Sequence, residues 1–102
     1  MAQDARRKVW ELCKSDVEAA LKVARKIESP WNRAQALAAV ALHVSPKARF
    51  GKIVKEAFAA ARENHQPNRV VSCAAWAVRA AVVRGDVDAS PPVAELLEII
   101  ER

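Results

Sequence analysis

Alanine content constrains this chain more than any other feature: 22 of its 102 residues are alanine, whereas glycine occurs twice and tyrosine is absent. Alanine has the highest helix propensity, and β-sandwiches, Rossmann units and phosphate-binding loops all need glycine at their turns. A chain of 102 residues is long enough to bury one hydrophobic core. The composition therefore predicts a single all-α domain over residues 1–102.

Prolines and glycines indicate where the helices begin and end. Three serine-proline pairs combine a capping serine with a proline suited to the first helical position; they are Ser29-Pro30, Ser45-Pro46 and Ser90-Pro91. Ser15 and Glu18 fit a capping box, and Gly85 fits a helix stop. Together these signals predict six helices, at about residues 4–14, 16–28, 31–44, 47–64, 68–84 and 91–101.

The helices show two kinds of apolar pattern. The second, fourth and sixth each carry one apolar stripe, which predicts that one face of each packs on the core. The stripes are Val17, Ala20, Leu21 and Ala24; Phe50, Ile53, Val54 and Ala57; and Val93, Leu96, Leu97 and Ile100. The third and fifth helices are apolar nearly all round, so we expect both to be buried as the spine of the domain. This order predicts three helical hairpins, formed by consecutive pairs of helices.

The segment from Ala20 to Ala41, ALKVARKIESPWNRAQALAAVA, resembles the repeats of short α-solenoids of the TPR-like and HEAT-like kind. A less regular second copy runs from Ala57 to Ala77, and the strict TPR signature of tryptophan, leucine-glycine and tyrosine is absent. The resemblance implies three antiparallel hairpins stacked into a superhelix. It also implies a scaffold that usually binds proteins, sometimes binds nucleic acid and is rarely an enzyme.

The fifth helix carries a cluster of polar and aromatic side chains among valine, alanine and cysteine. Arg69, Ser72, Trp76 and Arg79 fall within one sector of the helix at 100° per residue. An indole between two guanidiniums stacks with both of them and leaves their N–H donors for a carboxylate or phosphate. This pattern indicates a binding surface for an anionic group.

The third helix adds to this surface if the two helices lie side by side. Arg33 and His43 occupy the equivalent face, and Trp31 at the helix start is a candidate aromatic anchor. We therefore predict a non-enzymatic scaffold that binds an acidic or anionic segment of a protein partner. The structural alternative stays open here: Trp76 packs in the core, and Arg79 pairs with a nearby acidic residue.

The net charge of +5 is divided unevenly along the chain. Residues 1–84 hold 16 basic and 7 acidic side chains, whereas residues 85–102 hold one basic and five acidic. An acidic end and a basic body favour docking between copies, so a homo-oligomer is a further expectation. Basic residues of the first and fourth helices give an alternative function, a non-specific nucleic-acid surface. Its members are Arg6, Arg7, Lys8, Lys47, Arg49, Lys52 and Lys55.

The chain offers no set of acid, base and nucleophile, so we expect no enzyme, no catalytic residue and no cofactor. Cys13 and Cys73 stand among apolar residues, and His43 and His65 are far apart. This favours free buried thiols over a metal site, with a disulfide between the two cysteines as the alternative. The polar start and the short apolar runs predict a cytoplasmic protein with no membrane partner.

Overall fold

The fold is all-α, as the composition predicts. A computed structural model describes residues 2–45 and 47–101, and within these ranges it contains the six predicted α-helices and no strand. The helices are α1 (Ala2–Leu12), α2 (Val17–Arg25), α3 (Pro30–His43), α4 (Phe50–Arg62), α5 (Pro67–Arg84) and α6 (Ser90–Glu101). A turn of 3-10 helix at Lys47–Arg49 leads into α4. No helix in this part of the chain has both the length and the apolar character required to cross a bilayer.

Capping groups confirm two of the predicted boundaries. The Ser29 hydroxyl accepts a hydrogen bond from the Asn32 amide at 3.3 Å, and Pro30 stands in the first turn of α3. Gly85 ends α5 with a φ of 77°, in the left-handed region that glycine adopts without a steric penalty. Both positions follow from local backbone chemistry that the sequence displays directly.

The predicted capping box of Ser15 and Glu18 is wrong. Asp16 caps α2 instead, because its carboxylate accepts a hydrogen bond from the Ala19 amide at 3.1 Å. Glu18 forms an ion pair with Arg49 at 2.8 Å and does not reach back to the helix start. A carboxylate is also favoured at a helix N-terminus by the helix dipole, which explains why Asp16 replaces the neighbouring serine.

The starts of α4 and α6 also depart from the serine-capped pattern. Before α6, the Asp88 carboxylate accepts a hydrogen bond from the Ser90 amide at 2.9 Å, and this bond lowers the pKa of Asp88. Before α4, Pro46 lies outside the residues that the structure describes. The serine-proline pairs therefore locate these helix starts without identifying the groups that cap them.

Helix α3 lies at the centre of the packing. Residues 34–41 are all buried, and the helix packs against α1, α2, α4 and α5. Five of these eight residues are alanine, and small side chains let neighbouring helices approach closely. The polar member, Gln35, accepts a hydrogen bond from the Arg6 guanidinium at 2.8 Å, so its buried oxygen is satisfied. The prediction that the third helix is a buried spine is confirmed.

Helix α5 is buried on one side only, so the prediction of a second fully buried helix is wrong. Cys73 is buried, whereas Val82 and Val83 are 65% and 57% exposed. The apolar stripe of α6 is also incompletely covered, with Leu97 and Ile100 more than half exposed. The reason is that α6 packs against α5, and no described helix lies on the far side of this pair.

Ion pairs connect the even-numbered helices on the outside of the fold. One joins α2 to α4, one joins α2 to the 3-10 turn that precedes α4, and one joins α4 to α6. The pairs are Arg25 with Glu56, Arg49 with Glu18, and Arg62 with Glu95. Exposed ion pairs of this kind contribute about 0–1 kcal/mol each, so the buried core supplies most of the stability.

Replacing Leu37 with alanine is expected to lower the free energy of unfolding by about 2–5 kcal/mol, because this α3 side chain is only 2% exposed. The same exchange at Leu97, which is 52% exposed, is expected to cost less than about 1 kcal/mol. Urea denaturation of both variants measures the difference. Equal losses of stability would contradict the central position of α3.

Candidate functional site

Helices α3 and α5 lie side by side and run in the same direction. Their first turns meet where the Arg69 guanidinium lies over the Trp31 indole, 5.5 Å from the ring centroid. Farther along, Leu42 of α3 borders the same narrow cleft as Trp76 and Ala80 of α5. The condition for a surface shared by the two helices, that they pack side by side, is therefore met.

A second arginine lies over a tryptophan within α5. The Arg79 guanidinium is 5.4 Å from the centroid of the Trp76 ring, one turn earlier in the helix. Trp76 is half-buried, whereas Arg79 is exposed. A cation over an indole gains about 0.5–2 kcal/mol and is held in a fixed orientation, with its N–H donors at the edge of the stack. We call Trp31, Arg69, Ser72, Trp76 and Arg79 the Arg–Trp face.

The structure places Arg69 and Arg79 over two different tryptophans, whereas the sequence predicts that both stack on Trp76. The pattern on α5 places Trp76 between Arg69 and Arg79, whereas in the structure Arg69 stacks on Trp31 of the neighbouring helix. Arg69 and Arg79 are ten residues apart, which corresponds to about 15 Å along the helix axis. The site therefore has two separate cations in place of one stacked triad.

Arg33 satisfies acceptors of its own chain and is not displayed to a partner. Its guanidinium donates to the backbone carbonyls of Ile27 at 2.9 Å and Glu28 at 3.2 Å, and it pairs with Glu63. The side chain is only 16% exposed. Arg33 therefore holds the connection between α2 and α3, and we leave it out of the Arg–Trp face.

His43, also expected on the partner surface, is exposed in the last turn of α3.

A cleft of about 420 Å³ opens beside the Arg69–Trp31 pair. Its lining comes from the start of α3 and from the loop between α4 and α5: Ser29, Pro30, Trp31, Glu63, Asn64, His65, Gln66 and Arg69. Residues 64–66 were not predicted to belong to the site, and the length of their loop gives no signal, because the loops before α3 and before α5 both span four residues. The amide and imidazole groups next to Arg69 suit a small polar group, and the Glu63 carboxylate in the same lining is paired with Arg33.

Arg69 and Arg79 differ from most arginines of the chain in their electrostatic partners. In the described ranges, neither guanidinium pairs with a carboxylate. Five other arginines do form ion pairs: Arg25, Arg33, Arg49, Arg62 and Arg84. Two of the acidic residues that follow α5 in the sequence are paired with other arginines, Asp86 with Arg84 and Glu95 with Arg62. The positive charge of the Arg–Trp face is therefore available to an external anion.

The basic residues of the alternative nucleic-acid surface are divided by the fold. Helix α1 packs against α2 and α3, whereas α4 packs against α3 and α5, so α1 and α4 share no extensive interface. Arg6 is hydrogen-bonded to Gln35, and Arg49 is paired with Glu18. The exposed members are Arg7, Lys8, Lys52 and Lys55. The side chain of Lys47 lies outside what the structure describes.

Both cysteines are free and buried. Burial raises the pKa of the Cys13 thiol and of the Cys73 thiol, and for Cys73 it exceeds the opposing effects of the Asn64 hydrogen bond and of Arg69. A protonated, buried thiol is a poor nucleophile. Among the residues described, no three His, Cys, Asp or Glu side chains are grouped closely enough to hold a metal ion.

Comparison of the chain with protein-family models, with curated protein sequences and with solved structures gives no significant match. The function therefore has to be inferred from the geometry and charge of the Arg–Trp face and its neighbouring cleft.

We expect both thiols to react with Ellman's reagent at least about tenfold more slowly than free cysteine, because burial raises their pKa values and blocks access. In denaturant, both thiols are expected to become reactive together, because unfolding exposes them at the same time. Absorbance of the released thiolate follows the reaction. Immediate labelling of either cysteine in the folded chain would contradict its placement in the core.

Proposed function

We propose that this chain is a non-enzymatic scaffold of the helical-repeat type that binds an acidic or phosphorylated segment of a partner protein on its Arg–Trp face. One observation carries the proposal: Arg69 and Arg79 are exposed, each lies over an indole, and neither has a carboxylate partner among the residues described. An exposed guanidinium that stacks on an indole and has no carboxylate partner can donate its N–H groups, which lie in one plane, to an external carboxylate or phosphate.

The order of helix packing supports the helical-repeat part of the proposal. Consecutive helices pack in pairs, α1 with α2, α3 with α4 and α5 with α6, and the odd-numbered helices also pack on one another, α1 on α3 and α3 on α5. An α-solenoid built from stacked antiparallel hairpins has this pattern of contacts. In such a scaffold the odd-numbered helices form one layer, and every residue of the Arg–Trp face belongs to α3 or α5.

The spacing of the two arginines indicates the kind of segment that fits. They lie about 15 Å apart along α5, and an extended peptide covers this distance in about four or five residues. We therefore expect the partner to carry two anionic side chains at that separation. The cleft beside Trp31 provides additional polar contacts for the group that binds Arg69.

The polar groups near this face support binding over catalysis. The Ser72 hydroxyl donates to the Asn68 carbonyl of its own helix at 2.9 Å, and the Cys73 thiol is buried with a raised pKa. Neither group has a base in contact with it among the described residues. These side chains are therefore suited to binding an anion through cations that are held in fixed positions.

The double variant Arg69→Glu with Arg79→Glu is expected to weaken binding of an acidic phosphopeptide at least about tenfold, because both contacts become repulsive. The probe is a labelled peptide with a phosphoserine and a glutamate four residues apart, measured by fluorescence anisotropy. Circular dichroism is expected to show unchanged helicity, since both arginines are exposed.

Arg7→Glu with Lys8→Glu is the matched control, because it makes the same change of charge on α1, where both side chains are exposed. We expect this variant to bind the phosphopeptide as the unmodified chain does. Equal weakening in both variants, or no binding by the unmodified chain, would contradict the proposal.

Nucleic-acid binding is distinguished with the same two variants and a labelled DNA duplex. A non-specific basic surface on α1 and α4 would bind DNA with a steep dependence on salt. Loss of DNA binding in the α1 variant, together with full DNA binding in the Arg69 and Arg79 variant, would replace the protein-scaffold proposal by the nucleic-acid one.

A further inference from the structure

The three tryptophans of the chain lie on the odd-numbered helices, and none of them is fully buried. Trp31 and Trp76 are half-buried, and Trp10 on α1 is 37% exposed. The two phenylalanines, Phe50 and Phe58, are by contrast 4% and 1% exposed in α4. An indole that stays accessible forgoes part of the free energy of burial, and tryptophan is enriched at the centres of binding surfaces. Packing in the core therefore does not account for the exposed part of Trp10.

Trp10 lies beside Trp76, across the surface of α3. The two indoles border one narrow cleft of about 160 Å³ together with Arg79, and the rest of the lining is Ala38, Ala39, Leu42 and Ala80. The three alanines are at most 2% exposed, so the accessible part of the lining consists of the two indoles, Leu42 and the Arg79 guanidinium. Because the cleft is narrow, an occupant packs on the exposed parts of the indoles and does not enter between them.

Val83 extends this apolar area along α5. It follows Arg79 by four residues and Trp76 by seven, so the three side chains lie on one face of the helix. Val83 is 57% exposed. Apolar side chains therefore flank Arg79, and we call Trp10, Leu42, Trp76, Arg79 and Val83 the Arg79 subsite.

Arg69, at the other end of the Arg–Trp face, has polar surroundings. Its cleft is lined mainly by serine, asparagine, histidine and glutamine side chains beside Trp31. Among these, His65 and Gln66 are exposed. Such groups offer hydrogen bonds to a bound anion but little apolar contact. The two ends of the face therefore differ, and the Arg79 subsite is the end that suits a large apolar side chain.

The charge of Arg79 and its apolar neighbours favour the same kind of occupant. In the described part of the chain no carboxylate pairs with this guanidinium, which lies over the Trp76 indole. An apolar side chain that packs on the two indoles removes water from beside the guanidinium, and an ion pair is stronger where water is excluded. An acidic residue and a large apolar residue of one segment would therefore strengthen each other's contacts.

Distances along α5 indicate where that apolar residue falls. Val83 lies about 6 Å beyond Arg79 along the helix axis. Two residues of an extended peptide cover about 7 Å, and side chains two positions apart point to the same side. In a segment that follows α5, the residue two positions beyond the one that binds Arg79 therefore lies at Val83, on the same surface as the Trp10 and Trp76 indoles.

We propose that the Arg79 subsite selects partner segments in which a large apolar residue stands two positions beyond the acidic residue that binds Arg79, and that Trp10 takes part in the contact. The inference rests on the proposed function, because the anionic segment brings the apolar side chain to the subsite. It adds α1 to the binding surface, in the layer where α1 packs on α3 and α3 on α5. It also gives the bound segment a direction, since the apolar residue lies at the Arg79 end.

The test compares two labelled peptides, each with a phosphoserine followed four residues later by a glutamate. One carries phenylalanine two residues after the glutamate, and the other carries alanine there. By fluorescence anisotropy we expect the unmodified chain to bind the phenylalanine peptide at least about fivefold more tightly, because contacts between aromatic side chains are strong. In the Trp10→Ala chain this preference is expected to fall below about twofold, while the alanine peptide binds as before.

Val83→Ser and Val82→Ser form a matched pair, because the two valines are adjacent and are 57% and 65% exposed. At 100° per residue, Val83 is about 20° from Trp76 around the helix, whereas Val82 is about 120° away. We expect Val83→Ser to reduce the preference for phenylalanine at least about twofold and Val82→Ser to leave it unchanged. Circular dichroism and binding of the alanine peptide show whether each variant is folded.

Equal binding of the two peptides to the unmodified chain would overturn the inference, and so would a preference that Trp10→Ala leaves in place. If the two peptides bind equally and the chain with Arg69→Glu and Arg79→Glu binds neither, the proposed function stands and only the apolar contact is excluded. If neither peptide binds the unmodified chain, both proposals are wrong. A dimer in sedimentation experiments that dissociates in Trp10→Ala would assign the Arg79 subsite to a second copy of the chain instead.

Discussion

Close packing of small side chains between α3 and its neighbours is the constraint on which the rest of the structure depends. Alanine predominates in the buried part of α3, and the buried side of α5 is likewise formed by Ala74, Ala77, Ala80 and Ala81 with Cys73. Because protein interiors pack at the density of organic crystals, such a contact tolerates little change of distance or register. The register that results brings the start of α5 to the start of α3, and this places Arg69 over Trp31.

The arginines of the chain then divide into two groups by their partners. Most serve the fold: Arg84, for example, donates to the Ala41 carbonyl at 2.8 Å, pairs with Asp86 and lies over the Phe50 ring, so it ties the α5–α6 connection to α3 and α4. Among the described residues, Arg69 and Arg79 have aromatic partners and no acidic one. An indole orients a guanidinium without neutralising its charge, and this property links the packing of α3 and α5 to the binding of an anion.

The predictable part of the structure is the part that depends on local chemistry. Helix propensity and apolar periodicity predicted the number of helices and the burial of α3, because both are properties of neighbouring residues. The contact between Arg69 and Trp31 joins residues 38 positions apart, so it required the register of two helices, which no local pattern contains. The exposure of Leu97 was missed for a related reason, since an apolar stripe shows which face is apolar but not whether another helix covers it.

Binding of an anion by the Arg–Trp face is tested most directly by an NMR titration that follows the side-chain Nε–Hε signals of the arginines and the indole N–H signals of the tryptophans. As the acidic phosphopeptide is added, we expect the chemical shifts of the two stacked pairs to change together along one saturation curve. The chemical shifts of arginines that are already paired with glutamate on the outer helices are expected to stay unchanged. The signals that should move belong to Trp31, Arg69, Trp76 and Arg79, and those that should stay belong to Arg25 and Arg62. Binding of the peptide without a chemical-shift change at Arg69 and Arg79 would show that the Arg–Trp face is not the binding site.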